Sequence, residues 1–254
     1  MFSRFVALGD SSTEGLDDPD GAGGYRGWAD RLAEHAARAY PGLTYANLAV
    51  RGRSAHEIKA TELEPALAMR PDLATVVAGM NDLLRRNWSA VRVAAEIGEM
   101  VHALTAIGAT VVMFTIPDVS RRMRLGRTMS ARTAELNVEL RKIAVAENAV
   151  LLDLARREHA HDPRLWAVDR LHGNAAGHER IANELARQLG IPGVAAFGLE
   201  APLEPSPARA KHHVLIEDLA WIAKFVAPWA WRRLRGRTLG DGRSPKRPNL
   251  TPVL

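Results

Sequence analysis

The sequence predicts an α/β fold: a three-layer sandwich in which helices cover both faces of a five-stranded parallel sheet. Two observations predict it. Five short apolar runs alternate along the chain with amphipathic helical patterns, the order that builds strand–helix–strand units. The runs also lack polar alternation, as expected of strands covered on both faces, and this points to a parallel sheet.

The elements follow in order. Residues 5–8, Phe-Val-Ala-Leu, make a first strand that ends abruptly in Gly9-Asp10-Ser11. An alanine-rich helical pattern over 28–40 leads to a second strand at 43–48. A helix over 55–68 precedes the third strand, 73–78, Leu-Ala-Thr-Val-Val-Ala. A longer helix over 89–107 precedes the β-branched run 110–116, and a helix over 130–147 precedes the last strand, 150–154. The final body helix spans 175–189. Residues 1–195 therefore read as one domain. Pro202, Pro205 and Pro207 mark a linker over 196–210, and 211–254 is a basic amphipathic extension whose end, 240–254, is expected to be poorly ordered unless something holds it.

Composition narrows the function. The 254 residues include no cysteine, which excludes disulfides, a thiolate nucleophile and a cysteine-based metal site. The net charge of +5 is uneven: residues 201–254 carry ten Lys/Arg against four Asp/Glu, while the body is nearly neutral. A nucleic-acid partner is therefore not expected for the body. No leader-like segment precedes the first strand and no run can span a bilayer, so the expected location is cytoplasmic.

Chemistry-bearing residues recur at the ends of these strands or in the loop after the last. They are Ser11, Gly52, Asn81, and the pair Asp169 and His172. Singly, each has a structural reading: a helix cap at Ser11 or Asn81, a turn glycine at Gly52, a polar loop at 169–172. Together at one edge of a parallel sheet they match the needs of acyl transfer. A serine hydroxyl needs a base, which His172 can be, and an imidazole needs an orienting carboxylate, which Asp169 can be. The N–H groups of Ser11 and Gly52 and the side-chain amide of Asn81 could receive the charge that develops on a carbonyl oxygen.

In these blocks, Gly9-Asp10-Ser11-x-x-x-Gly15, Gly52, Gly79-x-Asn81-Asp82 and Asp169-x-x-His172, the chain resembles the SGNH hydrolases, also called GDSL-type esterases and lipases. The resemblance covers about residues 3–190. Ser12 replaces the leucine of the first block. The resemblance implies a flavodoxin-like sandwich and metal-free hydrolysis of carboxylic esters, with Ser11, Asp169 and His172 catalytic and no cofactor. The expected partner is a small ester of short to medium acyl chain. The alternatives are acyl transfer or deacetylation on sugar or lipid hydroxyls, and a non-catalytic membrane or partner adaptor.

Other residues receive plainer readings. Asp10 fixes the turn, and His178 is a surface or capping residue. His159 and His161 lack a third ligand at metal-site spacing. Loops 16–26, 83–88 and 119–129, the last with Met123, Leu125 and Met129, are expected to wall the pocket. Between residues 211 and 237, Val214, Leu215, Leu219, Ile222, Phe225, Val226 and Trp229 form an apolar face that either docks on the body or a second subunit, or lies in a membrane interface with Trp231, Arg232, Arg233, Arg235 and Arg237 toward anionic lipid. Pro228 divides that helix.

Overall fold

In the computed structural model, strands β1 (Arg4–Gly9), β2 (Thr44–Asn47), β3 (Leu73–Val77), β4 (Thr110–Phe114) and β5 (Val150–Leu152) form the expected parallel sheet, in the order β5-β4-β3-β1-β2. Residues 1–121, 127–194, 197–203, 221–235 and 238–253 are described. Each strand sends alternate residues to opposite layers. Val6 and Leu8 pack with Ile97, Met100 and Leu104 on one face; Phe5 and Ala7 pack with Trp28, Leu32 and Leu185 on the other. All of these are at most 1% exposed, and burying such a side chain contributes about 1.5–3 kcal/mol.

The helices fall where the periodicity places them. After the single turn α1 (Ser11–Glu14), α2 (Gly27–Ala39) and α7 (Ala175–Gln188) cover one face, while α5 (Ala90–Ala106) and α6 (Arg127–Ala146) cover the other. The expected single helix over 55–68 is less regular. It runs as α3 (Ala55–Ile58), a π turn (Lys59–Leu63) and α4 (Glu64–Ala68). Pro65 lies in the first turn of α4, and its missing N–H breaks the regular ladder at that junction.

Among the described residues the sheet has six strands, not five. Residues expected to be ordered only if something holds them form β6 (Arg247–Pro252), which pairs antiparallel with β2 through Tyr45↔Thr251 and Asn47↔Arg247. Its two prolines suit an edge strand, where one side of the backbone needs no partner. Lys246 secures its start: its ammonium donates to the carbonyls of Tyr25 and Arg26 and pairs with Asp30 at 2.9 Å. Partner contacts rather than local propensity hold this strand, so its sequence carries no strand signal.

The linker residues 204–210 and the residues Val214, Leu215 and Leu219 lie outside the described ones. Farther on, a π turn (Ile222–Val226) passes into α8 (Ala227–Leu234); Pro228 lies just after that junction, as Pro65 does in α4, and its missing N–H interrupts the regular ladder there. Among the described residues, no helix is long and apolar enough to cross a membrane.

Candidate active site

The end of β1 delivers Ser11 to the carboxyl edge of the sheet. Asp10 caps the following turn, its carboxylate accepting from the Ser12 N–H at 3.0 Å. Gly15 closes the turn at φ +94°, and a Cβ there would lie 2.7 Å from the Cα of Gly27. Only glycine fits that approach.

Asp169 and His172 come from a tight loop between the Trp166–Gly173 bridge partners. One Asp169 oxygen accepts from the backbone N–H groups of Leu171 and His172 at 2.9 and 3.1 Å, which fixes the loop around its own carboxylate. The other lies 2.5 Å from His172 Nδ1, and His172 Nε2 lies 2.7 Å from Ser11 Oγ. A carboxylate can only accept, so Nδ1 donates to Asp169 and the neutral ring keeps Nε2 as the acceptor facing the serine hydroxyl. Asp169 is held below the usual carboxylate range: burial opposes this, but the hydrogen bond and charge of His172 outweigh it.

Asn81 reaches the loop that carries Gly52, through the Arg53 carbonyl. Gly52 has φ +83°, in the loop between β2 and α3. That loop is clamped by a buried Arg51–Glu14 ion pair, with the Arg51 N–H also donating to Glu14 at 2.9 Å. The Asn81 amide nitrogen donates to the Arg53 carbonyl at 2.9 Å and to Asp10 Oδ2 at 3.0 Å. Both amide hydrogens thus have protein acceptors, so any further acceptor at this amide would have to compete with Asp10 or the Arg53 carbonyl. Burial pushes the Asp10 carboxyl up to about 6.

A family model, the GDSL-like lipase/acylhydrolase family, matches residues 7–180. The chain belongs to this family. The GDSL-like chain is also 24% identical over 213 residues to an acetylxylan esterase of Geobacillus stearothermophilus, covering 74% of this chain and 94% of that one. Solved structures share the fold. Axe2, an acetylxylan esterase from the same organism, superposes with TM-score 0.62 at 18% identity, over 76% of this chain and 97% of that one. A lipase/acylhydrolase from Enterococcus faecalis gives TM-score 0.61 at 22% identity, over 74% and 95%. Catalytic mutants of Axe2 replace a serine, an aspartate and a histidine three residues beyond that aspartate. These relationships make the chain a carboxylic ester hydrolase in the general sense.

Sequence reasoning missed one residue of this GDSL-like site. Asp17 Oδ2 lies 3.5 Å from His172 Nδ1, so two carboxylates face one ring nitrogen. Asp17 has φ +67°, a conformation that short polar side chains tolerate best. Burial works to lower the His172 pKa, but the bonds and charges of Asp169 and Asp17 prevail and raise it to about 9. The ligand atoms of Asp17, Asp169 and His172 lie within 4.8 Å of one another, but a cation at Nδ1 would have to displace the proton donated to Asp169. Asp17 follows the first block as one of several loop acidic residues, and nothing local sets it apart.

His178 is not a surface residue. It is 1% exposed, accepts the Trp28 N–H at Nδ1 and faces the Leu16 carbonyl with Nε2, tying α7 to the loop after Ser11. The pocket walls also differ from expectation. A cavity of about 90 Å³ opens on Ser11 and His172, and its apolar walls include Val77, Phe114, Ile116, Leu165, Trp166 and Leu171. None of the described residues in 16–26, 83–88 or 119–129 lines it; Met123 and Leu125 lie outside the described residues. The strand ends and the loop from β5 to α7 line it instead, because they converge behind the serine.

Proposed function

We propose that the chain is a serine esterase for short acyl esters, with Ser11 as nucleophile, His172 as base and Asp169 as its orienting carboxylate. The observation that carries this reading is the continuous line Ser11 Oγ–His172 Nε2 at 2.7 Å and His172 Nδ1–Asp169 Oδ2 at 2.5 Å, opening on a small apolar cavity. Ser11 Oγ attacks the ester carbonyl as its proton passes to Nε2. The tetrahedral oxyanion takes hydrogen bonds from the Ser11 and Gly52 N–H groups and the Asn81 amide. Its collapse breaks the bond to the alcohol oxygen, which leaves with the proton from His172. Water, activated by the same imidazole, attacks the acyl-serine; its collapse frees the acid and returns the proton to Ser11.

The size of the cavity supports a short acyl group. At about 90 Å³ it holds a few carbon atoms, not a fatty acyl chain. The alcohol side of the substrate is a sugar hydroxyl in this reading, because the chain is similar to an acetylxylan esterase. The test is a panel of p-nitrophenyl esters of rising chain length together with an acetylated xylo-oligosaccharide. Activity should peak at two to four acyl carbons (roughly, given the cavity) and vanish in Ser11→Ala. Ester hydrolysis that survives in Ser11→Ala, or that peaks on long chains, refutes the assignment.

A further inference from the structure

Residues 221–235 and 238–253 lie beyond the 7–180 span that the family model matches, yet they touch the ester site from two sides. At one end the indole N–H of Trp221 donates to the main-chain oxygen of Asp169 at 2.7 Å, and the Arg170 guanidinium lies 5.1 Å from the centre of its ring. At the other end a turn sits on the Gly52 loop. Thr238 Oγ1 donates to Asp241 at 2.6 Å and accepts from the Gly240 N–H at 3.2 Å. This turn presses against Arg51 and Gly52. A Cβ on Gly52 would lie 3.2 Å from Thr238 Cβ and 3.4 Å from the Leu239 nitrogen, while a Cβ on Gly240 would overlap the Arg51 carbonyl. Lys246 and β6 then anchor the chain to the loop before α2 and to the edge of the sheet.

We infer that the C-terminal segment is a strap that positions the Gly52 loop for oxyanion binding, with Gly240 and Thr238 as positioning residues. The inference rests on the proposed role of the Gly52 N–H. The physical case is that the loop is held between two fixed surfaces. The Arg51–Glu14 pair grips it from the Ser11 side, and the Thr238–Asp241 turn closes it from the other. A left-handed glycine has a broad choice of backbone states, so a donor N–H at Gly52 keeps one direction only if its neighbours are held. Gly240 is the contact point where even a methyl group must push the Arg51 carbonyl, and with it the next peptide N–H, which belongs to Gly52.

The test uses the full-length chain with Gly240→Ala and Thr238→Val, assayed on p-nitrophenyl acetate across pH. Gly240→Ala should lower kcat by about 10-fold or more, the partial loss of one preorganised donor, with KM within about two-fold of wild type. The pH midpoint should not move, because the strap acts on the oxyanion side and not on His172. Thr238→Val adds no bulk at Arg51 and loosens the turn, so it should show a smaller fall of the same kind even if Gly240→Ala fails to fold. A kcat within two-fold of wild type (roughly) in both variants, or in Thr238→Val alone where Gly240→Ala does not fold, overturns the strap; so does a loss confined to KM or a moved pH midpoint. Ser11→Ala separates the two readings: if it abolishes hydrolysis while the strap variants do not alter kcat, the esterase assignment stands and only the strap fails.

Discussion

Asp17→Asn removes a charge while keeping the size of the side chain and a residue type that accepts φ +67°. The Asp17 carboxylate is 3.5 Å from His172 Nδ1, where the Coulomb energy is about 1.2 kcal/mol at the dielectric of water and about 5 kcal/mol at an effective value of 20. The Asp17 side chain is 35% exposed, so solvent screening favours the lower figure. At about 1.4 kcal/mol per unit, that is roughly one pKa unit. The sign follows from which form is favoured. Asp17 stabilises the imidazolium, so its loss lowers the His172 pKa from about 9 toward the ordinary value. The free base then appears at lower pH, and the acid limb of kcat/KM moves down by about one unit. Well below that limb the variant should be the faster enzyme, by up to about 10-fold. Asp169→Asn should instead collapse the plateau by about 10³-fold or more, because it also loses the orienting bond. The assay is kcat/KM against pH for wild type and both variants on one short p-nitrophenyl ester. Asp10 and His178, the other titrating groups near His172, remain in every arm. An acid limb that stays in place or moves upward in Asp17→Asn refutes the reasoning.

Asn81→Ala should lower kcat by about 10²–10³-fold with little change in KM, since it removes a donor used in the transition state; a pure KM effect in steady-state kinetics would contradict that role. His178 makes a stability prediction. Burial, the dominant cause, lowers its pKa to about 4, below the ordinary value near 6.5. The unfolded chain therefore takes up a proton first, so this contribution to stability is whole above about 6.5 and is lost as pH falls toward 4. Melting temperatures of His178→Gln should decline less steeply over that window than those of wild type, and parallel slopes would exclude the linkage.

The two kinds of residue at this site differ in how they reach it. Ser11, Asp169 and His172 were legible as candidates, and the structure brings them into one hydrogen-bonded line, because short local motifs carry them: a strand ending in Gly-Asp-Ser, and an Asp and His three residues apart in one tight loop. Gly52 and Asn81 were legible as single candidate residues at strand ends, but not the bond from Asn81 to Asp10. Asp17 and His178 were not legible in their roles. Nothing in their sequence neighbourhoods distinguishes a loop aspartate that faces His172, or a helical histidine that bridges α7 to the loop after Ser11.

By itself the sequence determined the layered sheet, because strands covered on both faces must be apolar throughout and helices between them must be amphipathic. It also marked the residues at the strand ends that are candidates for ester chemistry, because that chemistry demands particular residue types. Only the tertiary structure decided the second carboxylate on His172, the size of the cavity behind Ser11, and the return of the C-terminal end to the sheet as β6. Each depends on contacts between residues far apart in the chain. Arg247–Pro252 is a strand because β2 offers it an open edge, and the turn before it reaches Gly52 because Lys246 and β6 hold it there.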